Sequence, residues 1–402
     1  MPISKGTAKV VAYKKETTWG TLAGNTLGKQ LRRVTADFNL TKEAYESNEL
    51  RTDRQVADFR HGVRMAEGSL NGELSPKTYA DFMQSLVARD FTVGASATGA
   101  SITIAGSGPT YTVTRAAGSF ITDGFEVGSV IRLTAGTFNV NNLNKNLLIA
   151  GMTATVLTVI VLNGTVLTAE GPIASATVST VGKETFVPAT GHTDDSYTIE
   201  EFYSDIAQSE VYTGMKVGSM NVQLPATGLT TVDFSFMGKD LTQKGVTQYF
   251  TSPAAQGTEG IFAAVNGAVL VNGQRVALIT SADFSVERAL ENATAVGSNS
   301  VAEIFTGRIR VSGNLSVYFE DAAFRNYFDN ETSVSVVLTL TTDTAANANF
   351  VSFVLPKVKI NSFTKADSEL GIVAQASFQA LLNDVTTAGL PATTIYIQDS
   401  AA

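Results

Sequence analysis

The sequence contains no cysteine. That removes disulfides, thiolate nucleophiles, iron–sulfur clusters and cysteine-based zinc sites together. Charge is scarce as well: Asp, Glu, Lys and Arg make up 16% of the 402 residues, against about 25% in an average domain. What charge there is leans acidic, with 29 Lys and Arg against 37 Asp and Glu. A protein that grips nucleic acid across its surface carries the opposite balance. Histidine occurs twice, at His61 and His192, so a histidine metal site would need carboxylates to complete it. Long apolar runs are also missing. The most lipophilic stretch, residues 147–162, is interrupted by threonines and falls short of the ~20 residues of a spanning helix. It reads as two strands and a turn. The opening MPISKGTAKVVAYKK lacks the apolar stretch of an export signal, so the chain is expected to be soluble. Hydrophobic residues still reach 44%, which excludes a disordered chain.

What is present is mostly Thr, Ser, Gly, Val and Ala in period-two patterns. Val232, Phe234 and Phe236 alternate with polar residues, as do Ile309, Val311, Leu315, Val317 and Phe319 around Gly313. Such alternation predicts strands with one buried face. Asn272-Gly273 between two apolar runs predicts a hairpin turn. Two helices stand out. Ser75 reads as the cap of the first and Pro76 as part of its first turn, with Tyr79, Phe82, Met83, Leu86 and Val87 as one apolar stripe. The second begins near Glu320-Asp321 and places Phe324, Tyr327 and Phe328 on one face. The expected fold class is mostly β, with one short helix in each half.

The halves resemble each other. Ala36-Asp37-Phe38 matches Ala282-Asp283-Phe284 at an offset of 246, and Gly72-Glu73-Leu74-Ser75 matches Gly313-Asn314-Leu315-Ser316 at 241. Further on, Ser219-Met220 matches Ser362-Phe363, and Gly228-Leu229 matches Gly371-Ile372, both at 143. The fall from 241 to 143 predicts about 98 extra residues in the first half. Composition places them independently: residues 94–190 hold only four basic and four acidic residues and are β-patterned. The expected organisation is two repeats with an inserted β-module. Repeat 1 comprises 1–93 with 191–255, the module is 94–190, and repeat 2 is 256–402.

Charge concentrates between Lys42 and Glu67, where 26 residues carry 11 charges of mixed sign. This reads either as a solvated loop or as an arm that docks on a neighbouring subunit. Catalytic constellations are lacking. The stretch Gly24-Asn25-Thr26-Leu27-Gly28-Lys29-Gln30 departs from a phosphate loop in both spacing and final residue. His192-Thr193-Asp194-Asp195 reads as an acidic linker turn, with a weak cation site as the alternative. Trp19, the single tryptophan, reads as an anchor for the N-terminal segment or as core. No cofactor, metal or enzymatic activity is expected.

Glu16-Thr17-Thr18-Trp19-Gly20-Thr21, Leu31-Arg32-Arg33-Val34, Ser47-Asn48-Glu49-Leu50-Arg51-Thr52-Asp53-Arg54-Gln55, Asp58-Phe59-Arg60-His61-Gly62 and Gly72-Glu73-Leu74-Ser75 resemble the tail tube (major tail) proteins of long-tailed bacteriophages. So do Gly218-Ser219-Met220-Asn221, Gly228-Leu229-Thr230-Thr231 and Phe234-Ser235-Phe236-Met237-Gly238. The insert, with Asp123-Gly124-Phe125-Glu126-Val127-Gly128, resembles the small β-modules that decorate phage tails. The resemblance implies a β-sandwich or barrel unit flanked by a helix, and a long loop reaching the next ring. Sheets of neighbouring subunits would join into one inner barrel. It implies a virion structural protein, assembled in the host cytoplasm, that forms stacked rings through which the genome is ejected. DNA would pass the lumen without specific binding. Its partners would be further copies of itself, a tape measure protein and the tail terminator and tip proteins, with no membrane. Two repeats per chain favour a trimeric, pseudo-hexameric ring over a hexamer, with the module projecting outward. Glu49, Arg51, Asp53, Arg54 and Arg60 are the expected contact between rings. The alternative from another class is a β-rich surface adhesin or carbohydrate-binding module, which would need an exposed aromatic platform.

Overall fold

The structure is a computed structural model, and it describes residues 3–164, 166–276, 279–366, 371–384 and 389–402. Strands dominate, as the alternation predicts. The first part of the chain forms β1 (Lys9–Lys15), β2 (Lys29–Gln30), β3 (Thr35–Glu46), β4 (Phe59–Glu73), helix α1 (Ala80–Val87) and β5 (Thr92–Val93). Six strands follow: β6 (Ser96–Gly106), β7 (Thr110–Arg115), β8 (Val130–Ala135), β9 (Leu147–Met152), β10 (Val156–Val161) and β11 (Glu170–Thr180). The chain then makes β12 (Lys183–Phe186), β13 (Tyr197–Tyr203), β14 (Gln208–Pro225), β15 (Thr231–Gly238) and β16 (Asp240–Gly245). The last part contains β17 (Gly267–Val271), β18 (Gln274–Arg275), β19 (Ile279–Ala293), β20 (Glu303–Tyr318), helix α2 (Ala323–Asp329), β21 (Val334–Thr341), β22 (Phe350–Lys365), β23 (Val373–Ala380) and β24 (Tyr396–Asp399).

Two sets of strands share one pairing order. In the first, β3 pairs β4, then β15, β14, β13, β1 and β2. In the second, β19 pairs β20, then β23, β22, β21, β17 and β18. The register irregularities coincide too. The first hairpin slips between Lys42 and Ala44, the second between Arg288 and Leu290. Against β15 and β23, β14 and β22 slip between Val217 and Ser219 and between Ile360 and Ser362. Even a hydroxyl contact recurs: Ser219 with Ser235 at 2.7 Å, and Ser362 with Ser377 at 2.6 Å.

This register corrects one sequence match. Gly68 lies opposite Phe38 and Phe236, and Gly313 lies opposite Phe284 and Phe378. The equivalent glycines are therefore Gly68 and Gly313, at an offset of 245 instead of 241, and Gly72 sits four residues further along. The reason is steric. A Cβ on Gly68 would lie 2.1 Å from the Phe38 ring, and one on Gly313 would lie 2.6 Å from the Phe378 ring. An aromatic ring lies across the backbone at both places, and only glycine leaves room.

The two sets join along one seam, where β14 residues 219–225 pair antiparallel with β19 residues 281–287. The result is a continuous inner sheet in the order β3-β4-β15-β14-β19-β20-β23-β22. Its rows alternate across all eight strands. Ala36, Leu70, Phe234, Met220, Val286, Val311, Ala380 and Val358 form one row, and every one is buried. The next row is Thr35, Asn71, Asp233, Asn221, Ser285, Ser312, Gln379 and Lys359, polar throughout.

Behind the buried face stand two outer sheets. The long strands β14 and β22 serve both layers, their first halves in an outer sheet and their second halves in the inner one. Strands that change sheets in this way make the corners of a sandwich. Helix α1 lies in the first core. The Phe82 ring is 4.8–5.6 Å from those of Tyr13, Tyr197, Phe234 and Phe236. The helix starts at Ala80, after a turn through Pro76–Tyr79 in which Lys77 takes φ 64°. Ser75 therefore caps that turn, bonding Thr78 at 2.7 Å, and does not cap the helix as expected.

Strands β6 to β11 close on themselves as a barrel in the order β10-β7-β6-β11-β8-β9. Residues 147–162 are indeed two strands and a turn, β9 and β10. The barrel ends at Thr180, earlier than the expected boundary at 190. Strand β12 pairs instead with β5 and β24, so both stems of the insertion extend the second outer sheet. The barrel is seated there firmly. Val130, Leu148 and Ile160 share a buried cluster with Leu270, Val337, Phe350, Val354 and Tyr396. Gln398 bonds both backbone groups of Val130, at 2.7 and 2.9 Å. Strands β21 and β22 are thus covered on both faces, which explains their unbroken burial from Val334 to Thr341 and from Phe350 to Pro356.

Candidate assembly surfaces

Three surfaces follow from this arrangement. The first is the polar face of the inner sheet. Asp37, Glu67, Glu73, Asp233, Asp283 and Glu287 lie there among Ser, Asn and Gln, with Arg308 and Arg310 toward the hairpin end. The face bends around a groove of about 970 Å³. Carboxylates spread among small hydroxyls and amides repel phosphate.

The second surface is the hairpin loop between β3 and β4, which carries the expected site residues. Glu49, Arg51, Asp53 and Arg54 lie in the loop, and Arg60 is the second residue of β4; all five are exposed. Their charges are matched locally. Arg51 bonds Asp53 at 2.8 Å and holds its carboxyl below the ordinary range, and Arg60 bonds Asp58 at 3.0 Å. Leu50 stands fully in solvent beside them, and Val296 does the same on the second hairpin. The tip of that second hairpin already leans on the first, with Arg64 N–H donating to Asn299 C=O at 3.0 Å. His61 stacks edge-on against Phe59 at 4.9 Å.

The third surface was not anticipated from sequence: a charge cluster at the seam. Lys216 Nζ lies 2.6 Å from Asp194 and 3.4 Å from Glu303, and Arg288 lies 3.1 Å from Asp194. Lys216 is 1% exposed. Arg288 also donates to the Ser85 carbonyl near the end of α1. The stretch His192-Thr193-Asp194-Asp195 is therefore occupied by protein cations, since Asp195 bonds Lys15 at 2.7 Å. Among the described residues no cluster has a metal-ligand set.

The N-terminal motif has a clear job. Glu16 is buried, and its carboxylate accepts from Gly20 N, Ser196 Oγ, Thr198 Oγ1 and Gly214 N. Trp19 donates to Gly214 O at 3.2 Å between Lys216 and Lys239. It anchors the N-terminal segment.

Comparison with protein families decides the identity. The family of phage tail tube proteins matches residues 6–380. The chain belongs to that family. A search of curated proteins returned no match. A phage tail tube protein is a structural component of the virion tail that assembles into a tube with other tail proteins, and the family is not one of enzymes. Among the described residues no helix is long and apolar enough to cross a membrane.

Proposed function

We propose that this tail tube protein builds rings in which each chain fills two adjacent wall positions, and that the rings stack into the conduit for genome ejection. The observation that carries this reading is the seam between β14 and β19. It joins two sets of strands of one topology into a single sheet and leaves matching ends, β3 at one side and β22 at the other. A sheet with complementary open ends is completed by copies of itself. Three chains would then make six positions, where a single-unit protein would need six chains.

In this arrangement residues 1–93 with 191–255 and residues 256–402 are repeats of one tube unit. Their polar inner faces line the bore, where carboxylates keep DNA from adhering. The barrel lies on the far side of the outer sheet and projects outward. The arm residues Glu49, Arg51, Asp53, Arg54 and Arg60 reach the next ring and exchange their local ion pairs for pairs across it. A tape measure protein in the bore, and terminator and tip proteins at the ends, complete the tail, which is assembled in the host cytoplasm. Negative-stain microscopy of concentrated protein tests the reading. Discs or tubes with three-fold or pseudo-six-fold class averages are expected. Protein that stays monomeric under all conditions would falsify it.

A further inference from the structure

The seam inside the chain is a template for the seam between chains. The shared register assigns each seam residue a counterpart. From the hairpins, Arg288 corresponds to Lys42 and Glu303 to Asp58. From the paired strands, Lys216 corresponds to Lys359, and Asp194, three residues before Tyr197, corresponds to Glu331, three residues before Val334. All four charges keep their sign. Half of the second cluster is already formed, since Lys359 lies 3.4 Å from Glu331 as Lys216 lies beside Asp194. The other half, Lys42 and Asp58, stands at the opposite end of the molecule.

Resting on the ring reading above, we propose that neighbouring chains are latched by this four-charge cluster. Lys359 of one chain sits between its own Glu331 and Asp58 of the next copy, and Lys42 of that copy closes on Glu331. Burial argues for the missing partner. At the filled seam the Lys216 and Asp194 side chains are 1% and 49% exposed, whereas their counterparts Lys359 and Glu331 are 40% and 83% exposed. Helix α1, which the filled seam covers, has six buried residues, while α2 has none. The edges agree as well. Among the described residues no strand pairs with β22 residues 362–365 on the side away from β23, and β3 pairs only with β4. Until a partner arrives, Lys9 and Tyr212 hold the Ala36 and Phe38 carbonyls of β3, which guards that strand against unspecific pairing.

The template also fixes register. Asn221 faces Ser285 at the filled seam, so Thr364 should face Asn39 of the next chain. Because the chain has no cysteine, Asn39→Cys with Thr364→Cys creates the only two thiols. Oxidised rings should give a disulfide ladder that ends at the ring's copy number. The control, Asn39→Cys with Lys365→Cys, points its thiols to opposite faces and should stay uncrosslinked. In parallel, Lys42→Glu or Glu331→Lys alone should raise the concentration needed for rings by about tenfold or more, and the double swap should recover most of it. Unchanged melting of the monomer shows that each variant folds. Rings that form yet neither crosslink in this register nor respond to the swap overturn the latch and leave the ring reading standing. Unmodified chain that never forms rings overturns both.

Discussion

The two tube-like units share a pairing order but differ in what covers the outer face of their outer sheets. At one position the first unit has Glu200 and the second has Val337, each paired one residue beyond a matching bulge. Glu200 turns its carboxylate to the backbone N–H groups of Tyr249 and Phe250 and to the Ser209 hydroxyl. It pins the connecting segment between the units. Val337 packs in the cluster that seats the barrel, and Gly128 approaches Val337 and Val354 closely. One scaffold therefore accepts either a polar strap or an apolar domain on the same face. Topology resides in the buried rows and bulges, and the covering is free to vary.

That comparison can be broken at several strengths. The strongest blow falls on the helices. Phe82→Ala removes the hub of four aromatic rings in the first unit and should cost about 3–5 kcal/mol in denaturant unfolding. Its counterpart Phe324→Ala, on the half-buried α2, should cost less than about 1 kcal/mol in the isolated chain. Equal losses would mean that the two helices are equally embedded. Next comes Val337→Glu, which transplants the first unit's residue into the second. It buries a carboxylate with no backbone donors, so a loss of about 3 kcal/mol or more is expected, with protease cutting at the barrel stems near β5 and β12.

A smaller effect depends on pH. Burial, and then the neighbouring Glu184, push the Glu126 carboxyl at the barrel base up to about 8. A raised carboxyl favours the fold in its protonated form. Its contribution is complete below the ordinary carboxylate range and is lost as pH rises through about 8. Glu126→Gln should therefore melt like the parent at pH 4 and be more stable by about 1–2 kcal/mol at pH 9. A constant difference across that range would remove Glu126 as the cause. The smallest change in stability belongs to the arm. Arg51→Glu with Arg54→Glu should alter folding by less than about 0.5 kcal/mol, yet leave discs that no longer stack. Normal tubes from this variant would place the ring-to-ring contact elsewhere.

Much of this was legible in the sequence, because alternation and hairpin signals act locally. Val232, Phe234 and Phe236 are buried as read, and Asn272-Gly273 makes its turn with φ of 51° and 74°. The charge-poor insert was legible by composition. The glycine register was not. Gly68-Ser69-Leu70 and Gly72-Glu73-Leu74 repeat one pattern four residues apart, so the text offers two matches to Gly313, and Ser75 against Ser316 favours the wrong one. Only the ring lying across the strand chooses between them. With the offset at 245, the excess of the first half becomes 102 residues instead of 98. The seam cluster stayed hidden for a related reason. Asp194, Lys216, Arg288 and Glu303 are spread over more than a hundred positions, and their match to Glu331, Lys359, Lys42 and Asp58 needs four different offsets. No single alignment shift reveals them; strand pairing does.

The barrel is threaded through the first unit yet rests on the second. If the wall is built as proposed, its bore and its rind count differently: a traveller inside meets six near-identical panels, while an observer outside sees a boss on every other one. Two rings could then mesh snugly at the centre and still differ by sixty degrees in where their bosses point, so the exterior pattern records a choice of stacking angle to which the channel itself is blind.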